Sequence, residues 1–216
     1  MSSSVNTLDC PSHQMNGNIY IASMNMRGSW ATAPDDCIKI NVTSVQAKLN
    51  KNRLSFSPMT PIDGGYKGFW NFEHYWQSGK VFDSVSHKTS VAWWQKQDKP
   101  KRRYPGAKTM NVLHAKYPHI EEPLNYIESR KQVYVVEYYD LIKNNPTTHY
   151  WQQQHQDGKH LVIYDFDGPR QPDGQVTCCE LNLKLLREKI LDTKHPFGHG
   201  YVIAATIANI NPTQYI

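Results

Sequence analysis

Between Asn71 and Phe82 the chain reads NFEHYWQSGKVF, and no other stretch restricts the fold as tightly. Phe72, Tyr75, Trp76, Gly79 and Phe82 recur at helical spacing, so they form a stripe that must be buried against a core. Asn71 can cap the first turn, and the pattern predicts a helix of about a dozen residues ending near Phe82. Glu73, Gln77 and Lys80 fall at i, i+4 and i+7 and share a second face. A carboxylate, an amide and an ammonium in one row suit the wall of a polar pocket. They equally suit a solvated helix surface, and spacing alone leaves both readings open.

A chain of 216 residues can bury one sizeable core and is short for two. With 39% hydrophobic and 20% charged residues it is globular rather than disordered material. Residues 1–17 read as a flexible tail and 18–216 as a single domain. Segments 18–24 and 38–42 are rich in β-branched residues and are expected to be strands, split by the turn-prone SWATAPDD. Gly64 and Gly65 mark another turn. Helices are expected over 84–96, 107–116, 121–144 and 181–191, a buried strand over 160–164 and a closing strand over 201–207. The fold class is therefore α+β, with a mainly helical middle and strands toward both ends.

The net charge of +5 favours a phosphate-bearing ligand but is too small to establish nucleic-acid binding. Its densest run, KQDKPKRRYPGAK at 96–108, is either a solvated loop or a phosphate-contacting rim in which Arg102 and Arg103 would act. Cysteines at 10, 37, 178 and 179 show no CxxC spacing and suggest neither a zinc site nor a disulfide framework. The first residues lack a secretory h-region and no apolar run has membrane-spanning length. A cytoplasmic location without a membrane partner is the expectation. His195 and His199 are the closest histidine pair, but Pro196 and two glycines around them argue for a loop rather than a metal-binding helix.

Two motifs suggest chemistry. The first is LVIYDFDG at 161–168, an apolar strand followed by Asp165-Phe166-Asp167-Gly168, similar to the opening motif of haloacid dehalogenase-type phosphatases. There the first Asp is a nucleophile, the second an acid/base, and magnesium binds nearby. Pro169 stands where that family carries Thr, and the chain beyond it is shorter than that family's sheet requires. The second is Glu73-His74-Tyr75-Trp76-Gln77-Ser78-Gly79-Lys80, which resembles the Glu-His-Tyr-x-Gln-x-x-Lys signature of the NADAR superfamily, whose YbiA-like members are N-glycosidases. Three further blocks follow that family's order. Leu54-Ser55-Phe56-Ser57-Pro58 sits near its Leu-Ser-Asn-Phe segment, Phe166-Asp167-Gly168 near its Trp-Gly-x-Gly-like loop, and Leu185-Leu186-Arg187-Glu188 near its terminal helix. The resemblance covers about residues 52–192. It departs from the family in lacking the Asn before Phe56, the loop tryptophan and the Gly of the last helix.

The resemblance implies a metal- and cofactor-independent hydrolase that cleaves an N-glycosidic bond to a phosphorylated ribose. Its substrate would be an ADP-ribosyl conjugate or a ribosylaminopyrimidine phosphate, with nucleic acid entering only as a modified substrate. The ribosyl carbon becomes oxocarbenium-like as the bond to nitrogen breaks, so a nearby carboxylate stabilises the transition state and can deprotonate water. Glu73 is assigned that role, with Asp167 as the second carboxylate. Lys80 and Arg102 or Arg103 would hold phosphate, and Trp76, Phe166 or Tyr164 would stack on the base. The remaining expected contacts are Phe56, Ser57, Gln77, Asp165 and Gly168. Two alternatives stay open: a non-catalytic module for ADP-ribose, NAD or a nucleotide, and a nucleic-acid-binding protein that uses the basic run.

Overall fold

The structure is a computed structural model describing residues 16–44 and 50–216; the expected tail lies outside them apart from Asn16 and Gly17. In chain order the elements are β1 (Ile19–Ser23), β2 (Ile38–Asn41), α1 (Lys51–Phe56), α2 (Phe72–Ser78), β3 (Lys80–Phe82), α3 (His87–Gln95) and β4 (Val112–Ala115). Then come α4 (Tyr126–Ser129), a π-helical segment (Arg130–Val135), α5 (Val136–Ile142), α6 (Pro146–Gln156), β5 (Leu161–Asp165), β6 (Cys178–Glu180), α7 (Leu183–Leu191) and α8 (His199–Ile207). This is the α+β class expected. Among the described residues no helix is long and apolar enough to cross a membrane.

The main sheet runs β2-β5-β1-β6, with β1 and β2 parallel to β5 and β6 antiparallel to β1. Every residue of β5 is buried, as its apolar run Leu161–Tyr164 demands of a central strand flanked by parallel neighbours. Asp165 ends that strand and is itself buried. A two-stranded antiparallel sheet, β3–β4, stands apart.

Several expectations are corrected. Residues 201–207 are not a strand but most of α8, all nine of whose residues are buried. It packs on α5 and α6 and across β1 and β5. A helix apolar on every side carries no 3.6-residue pattern, so periodicity cannot separate it from a buried strand. Residues 107–116 are not a helix either. Pro105-Gly106, with Gly106 at φ 76°, opens a run of turns, and 112–115 form β4 by pairing with β3. The helix from Asn71 stops at Ser78, because 80–82 are taken up by that same pairing. The helices at 84–96 and 181–191 begin two to three residues late, after the caps Ser86 and Asn182. The one at 121–144 begins at Tyr126. Helix α6 was not anticipated, although Asn145-Pro146 is a cap followed by a proline in the first turn.

Beneath α2, Glu137 fastens three segments together. Its carboxylate accepts from Tyr66 Oη at 2.7 Å and Tyr75 Oη at 3.2 Å, and it pairs with Lys67 Nζ at 2.7 Å and His119 Nε2 at 3.0 Å. Gly79 sets the exit from α2. A Cβ there would lie 2.2 Å from Tyr117 Cζ, and the Tyr117 ring stacks on Trp76 at 6.1 Å while its hydroxyl donates to the Trp76 carbonyl. Gly79→Ala is therefore expected to push Tyr117 outward and cost about 1–3 kcal/mol, the usual range for overpacking, read as a lower urea midpoint with an unchanged slope.

Candidate functional site

The carboxyl end of β5, the start of α8, the first turn of α2 and the basic loop after α3 enclose a cavity of about 650 Å³. It receives Glu73, Trp76, Gln77, Lys80, Arg102, Arg103, Asp165, Phe166 and Asp167, all named from the sequence.

Glu73 is aimed by the cap of its helix. Asn71 Oδ1 accepts from the His74 amide at 2.8 Å, Asn71 Nδ2 donates to the Met59 carbonyl at 2.9 Å, and the Glu73 amide donates to the Pro58 carbonyl at 2.9 Å. Gln77 Nε2 donates to Glu73 Oε1 at 2.8 Å, so these two members of the predicted face meet and look into the cavity, while the third, Lys80, lies beyond the end of the helix. Burial raises the Glu73 carboxyl above its ordinary range, against the pull of Gln77, Lys80, His199 and Arg102. Burial likewise pushes the Lys80 ammonium down, opposed by Glu73 and reinforced by Arg103. Lys80 enters from β3 rather than from the helix. Among the described residues neither Lys80 nor Arg102 nor Arg103 forms an ion pair, although all three face one hollow. Cations left unpaired beside a cavity are free to take an anionic ligand.

Asp167 sits in the turn after β5, open to solvent on one side and crowded by cavity walls on the other. Desolvation raises its carboxyl to about 6, with Asp165 and Glu73 adding repulsion and His199 and Arg170 opposing. Asp165 differs from it in being fully committed. Its Oδ1 accepts from the Phe166 amide at 2.7 Å, while Oδ2 accepts from the Gly200 amide at 3.0 Å and meets His199 Nδ1 at 3.1 Å. The other nitrogen of His199 lies 2.6 Å from the Val42 carbonyl. Gly198 and Gly200 permit this approach, since a Cβ on either would come within 2.6 or 2.8 Å of the Asp165 side chain. Asp165 thus touches the cavity but acts as its fastening, and its occupied oxygens disfavour the nucleophile of a phosphatase motif. His195 is held by Asp192 at 3.0 Å, so the two histidines serve different carboxylates. Among the described residues no group of three or more His, Cys, Asp or Glu side chains is arranged to hold a metal ion.

Trp76 and Tyr134 form an aromatic wall, their ring centroids 5.0 Å apart. Trp76 is half-buried and belongs both to the core edge and to the cavity. Tyr134 and Arg130 come from the π-helical segment, and such segments often occur at functional sites. Arg130 donates to the Ile190 and Asp192 carbonyls at 2.8 and 2.9 Å, so its charge is spent on the carboxyl end of α7.

Other assignments fail. Phe56 is 1% exposed and lies in the core, where its carbonyl accepts from Tyr138 Oη. Ser57 Oγ accepts from the Met59 amide at 3.1 Å and lines no part of the cavity. Gly168 packs on backbone, with a Cβ position 2.7 Å from the Ala22 carbonyl oxygen. Tyr164 donates to the Ala31 carbonyl at 2.7 Å and is absent from the cavity wall. Missed as cavity-lining residues were Met26, Ser44, Pro58, Met59, Tyr126, Arg130, Tyr134 and the 196–199 segment, which reach the cavity only through tertiary packing. His199 had a usable signal, the glycines on either side of it, but nothing in the sequence paired it with Asp165.

His74 is wholly buried between Trp70 and Trp94, and burial lowers its imidazolium pKa to about 4. Above the unfolded-state value of about 6.5 the ring is neutral in both states and its contribution is complete. As pH falls from about 6.5 to about 4 the unfolded chain protonates first, so up to about 3 kcal/mol of stability is lost across that window. Urea unfolding at pH 7 and 4.5 is expected to show a smaller acid loss in His74→Gln than in the parent.

No protein-family model, curated protein or solved structure matches the chain.

Proposed function

We propose that this cavity binds a phosphorylated N-ribosyl compound and hydrolyses its N-glycosidic bond. The observation that carries the reading is the meeting, in one hollow, of two carboxyls held above their ordinary range with three cations that have no ion pair among the described residues. The resemblance of the Glu73–Lys80 segment to the NADAR signature supports the same chemistry.

Lys80, Arg102 and Arg103 take the phosphate end of the ligand, and Trp76 with Tyr134 offers a face for a flat base. Ionised Glu73 stabilises the oxocarbenium-like carbon and accepts a proton from the attacking water. Asp167, titrating near 6, holds a proton that it delivers to the departing nitrogen. Water oxygen bonds to the ribosyl carbon, the carbon–nitrogen bond breaks, and the two carboxyls exchange one proton each with solvent to reset. Gln77 keeps Glu73 in place through its 2.8 Å hydrogen bond.

Glu73→Gln is expected to cut turnover at least 10²–10⁴-fold, roughly the contribution of a general base, while ligand affinity changes only a few-fold. The assay is mass-spectrometric release of base from NAD, ADP-ribosyl conjugates and ribosylaminopyrimidine phosphates. Full turnover in the variant would end the proposed mechanism. Tight binding with no release from any substrate would establish the non-catalytic module instead. Because Asp167 must be protonated, turnover is expected to fall as pH rises through about 6, and Asp167→Asn should abolish that alkaline limb.

A further inference from the structure

The basic loop carries its two arginines between fixed points. On one side the Lys101 amide donates to His74 Nε2 at 3.2 Å, a side chain with no exposure, set between Trp70 and Trp94 at centroid distances of 5.6 and 5.0 Å. On the other side Tyr104 meets Trp93 edge-on at 5.2 Å and lies 5.9 Å from Phe82. Arg102 and Arg103 are the two residues between, exposed, without ion-pair partners among the described residues, and both on the cavity wall. An exposed loop with two long cationic side chains would ordinarily lose much conformational entropy on gripping an anion. Here the backbone is tied down before any ligand arrives.

We infer that His74 and Tyr104 are positioning residues that clamp the 101–104 segment and present Arg102 and Arg103 together to the phosphate groups of the ligand. The inference rests on the anionic-ligand reading above and deepens it. It gives adjacent residues of α2 two tasks: Glu73 faces the reacting carbon, and His74 reaches the loop that holds the phosphate. The clamp works only with a neutral ring, since Nε2 must accept, and an imidazolium has no acceptor. The proton then sits on Nδ1, which has no partner among the described residues.

The test measures affinity for inorganic pyrophosphate by calorimetry and hydrogen exchange at the Lys101 amide, using the full chain. His74→Leu fills the volume without an acceptor, whereas His74→Gln restores one. Leu is expected to weaken pyrophosphate binding about tenfold, the scale of one lost buried hydrogen bond, and to speed exchange at Lys101. Gln should stay within about threefold of the parent on both readings. In an Arg102→Ala/Arg103→Ala background, where pyrophosphate binding is already weak, His74→Leu should add nothing further, as expected for residues acting as one unit. Equal losses in Leu and Gln, or parental affinity and protection in Leu, would overturn the clamp. If His74→Leu does not fold, Tyr104→Leu probes the other fixed point, and parental pyrophosphate affinity there would overturn it equally. A parent protein that does not bind pyrophosphate removes the clamp's function, while the N-glycosidase reading is judged separately by turnover in Glu73→Gln.

Discussion

Asp165 sits at the end of a strand with neighbours on both sides and the last helix above it, where an unpaired carboxylate would be costly. Three donors meet it: two backbone amides and the His199 ring, which in turn reaches the carbonyl that follows β2. The contact joins the central strand, its parallel neighbour and the buried helix α8 at one point. The cavity opens beside this junction, so its floor cannot shift without breaking a buried, charge-assisted network. Removing one member would leave the others desolvated and unsatisfied, which is why such a junction is rigid as well as stable.

Rigidity there allows an electrostatic arrangement that a flexible site would collapse. Glu73 and Lys80 feel one another without forming an ion pair, and Arg102 adds its pull on Glu73, likewise without an ion pair among the described residues. Had the cations closed on the acids, the net field inside would be small. Without such pairs, both signs of charge stay available in the one hollow. The ligand proposed above, with a phosphate and an electron-poor ribosyl carbon, carries both kinds of charge.

How much of this was legible depended on how local each signal was. The strands β1, β2 and β5 and the start of α2 were readable because β-branched runs and the Asn71 cap act within a few residues. The Glu73–Gln77 pair was readable because i, i+4 neighbours meet on any helix. The segment at 201–207 was not, since burial on all sides erases the pattern that distinguishes helix from strand. The partners of His199, the misassigned Phe56 and the strand at 112–115 were decided by contacts thirty or more residues away. Motif order suggested Phe56 and Gly168 for the site, yet both proved to serve packing.

The π-helical segment at 130–135 has a consequence for how this protein could change. Such a turn holds one residue more than an α-turn, so the helix before it and the helix after it are out of phase by about 100°, the rotation of a single residue. Tyr126, before the segment, and Arg130 and Tyr134, within it, line the cavity; Glu137 and Tyr138, after it, belong to the core. Loss of one residue from the segment would let the two halves merge into a regular helix. It would then turn Tyr126 relative to the interior residues after the segment by nearly a third of a revolution. The wider turn therefore works as a phase adjuster, through which chain length alone can change how Tyr126 is presented to the pocket.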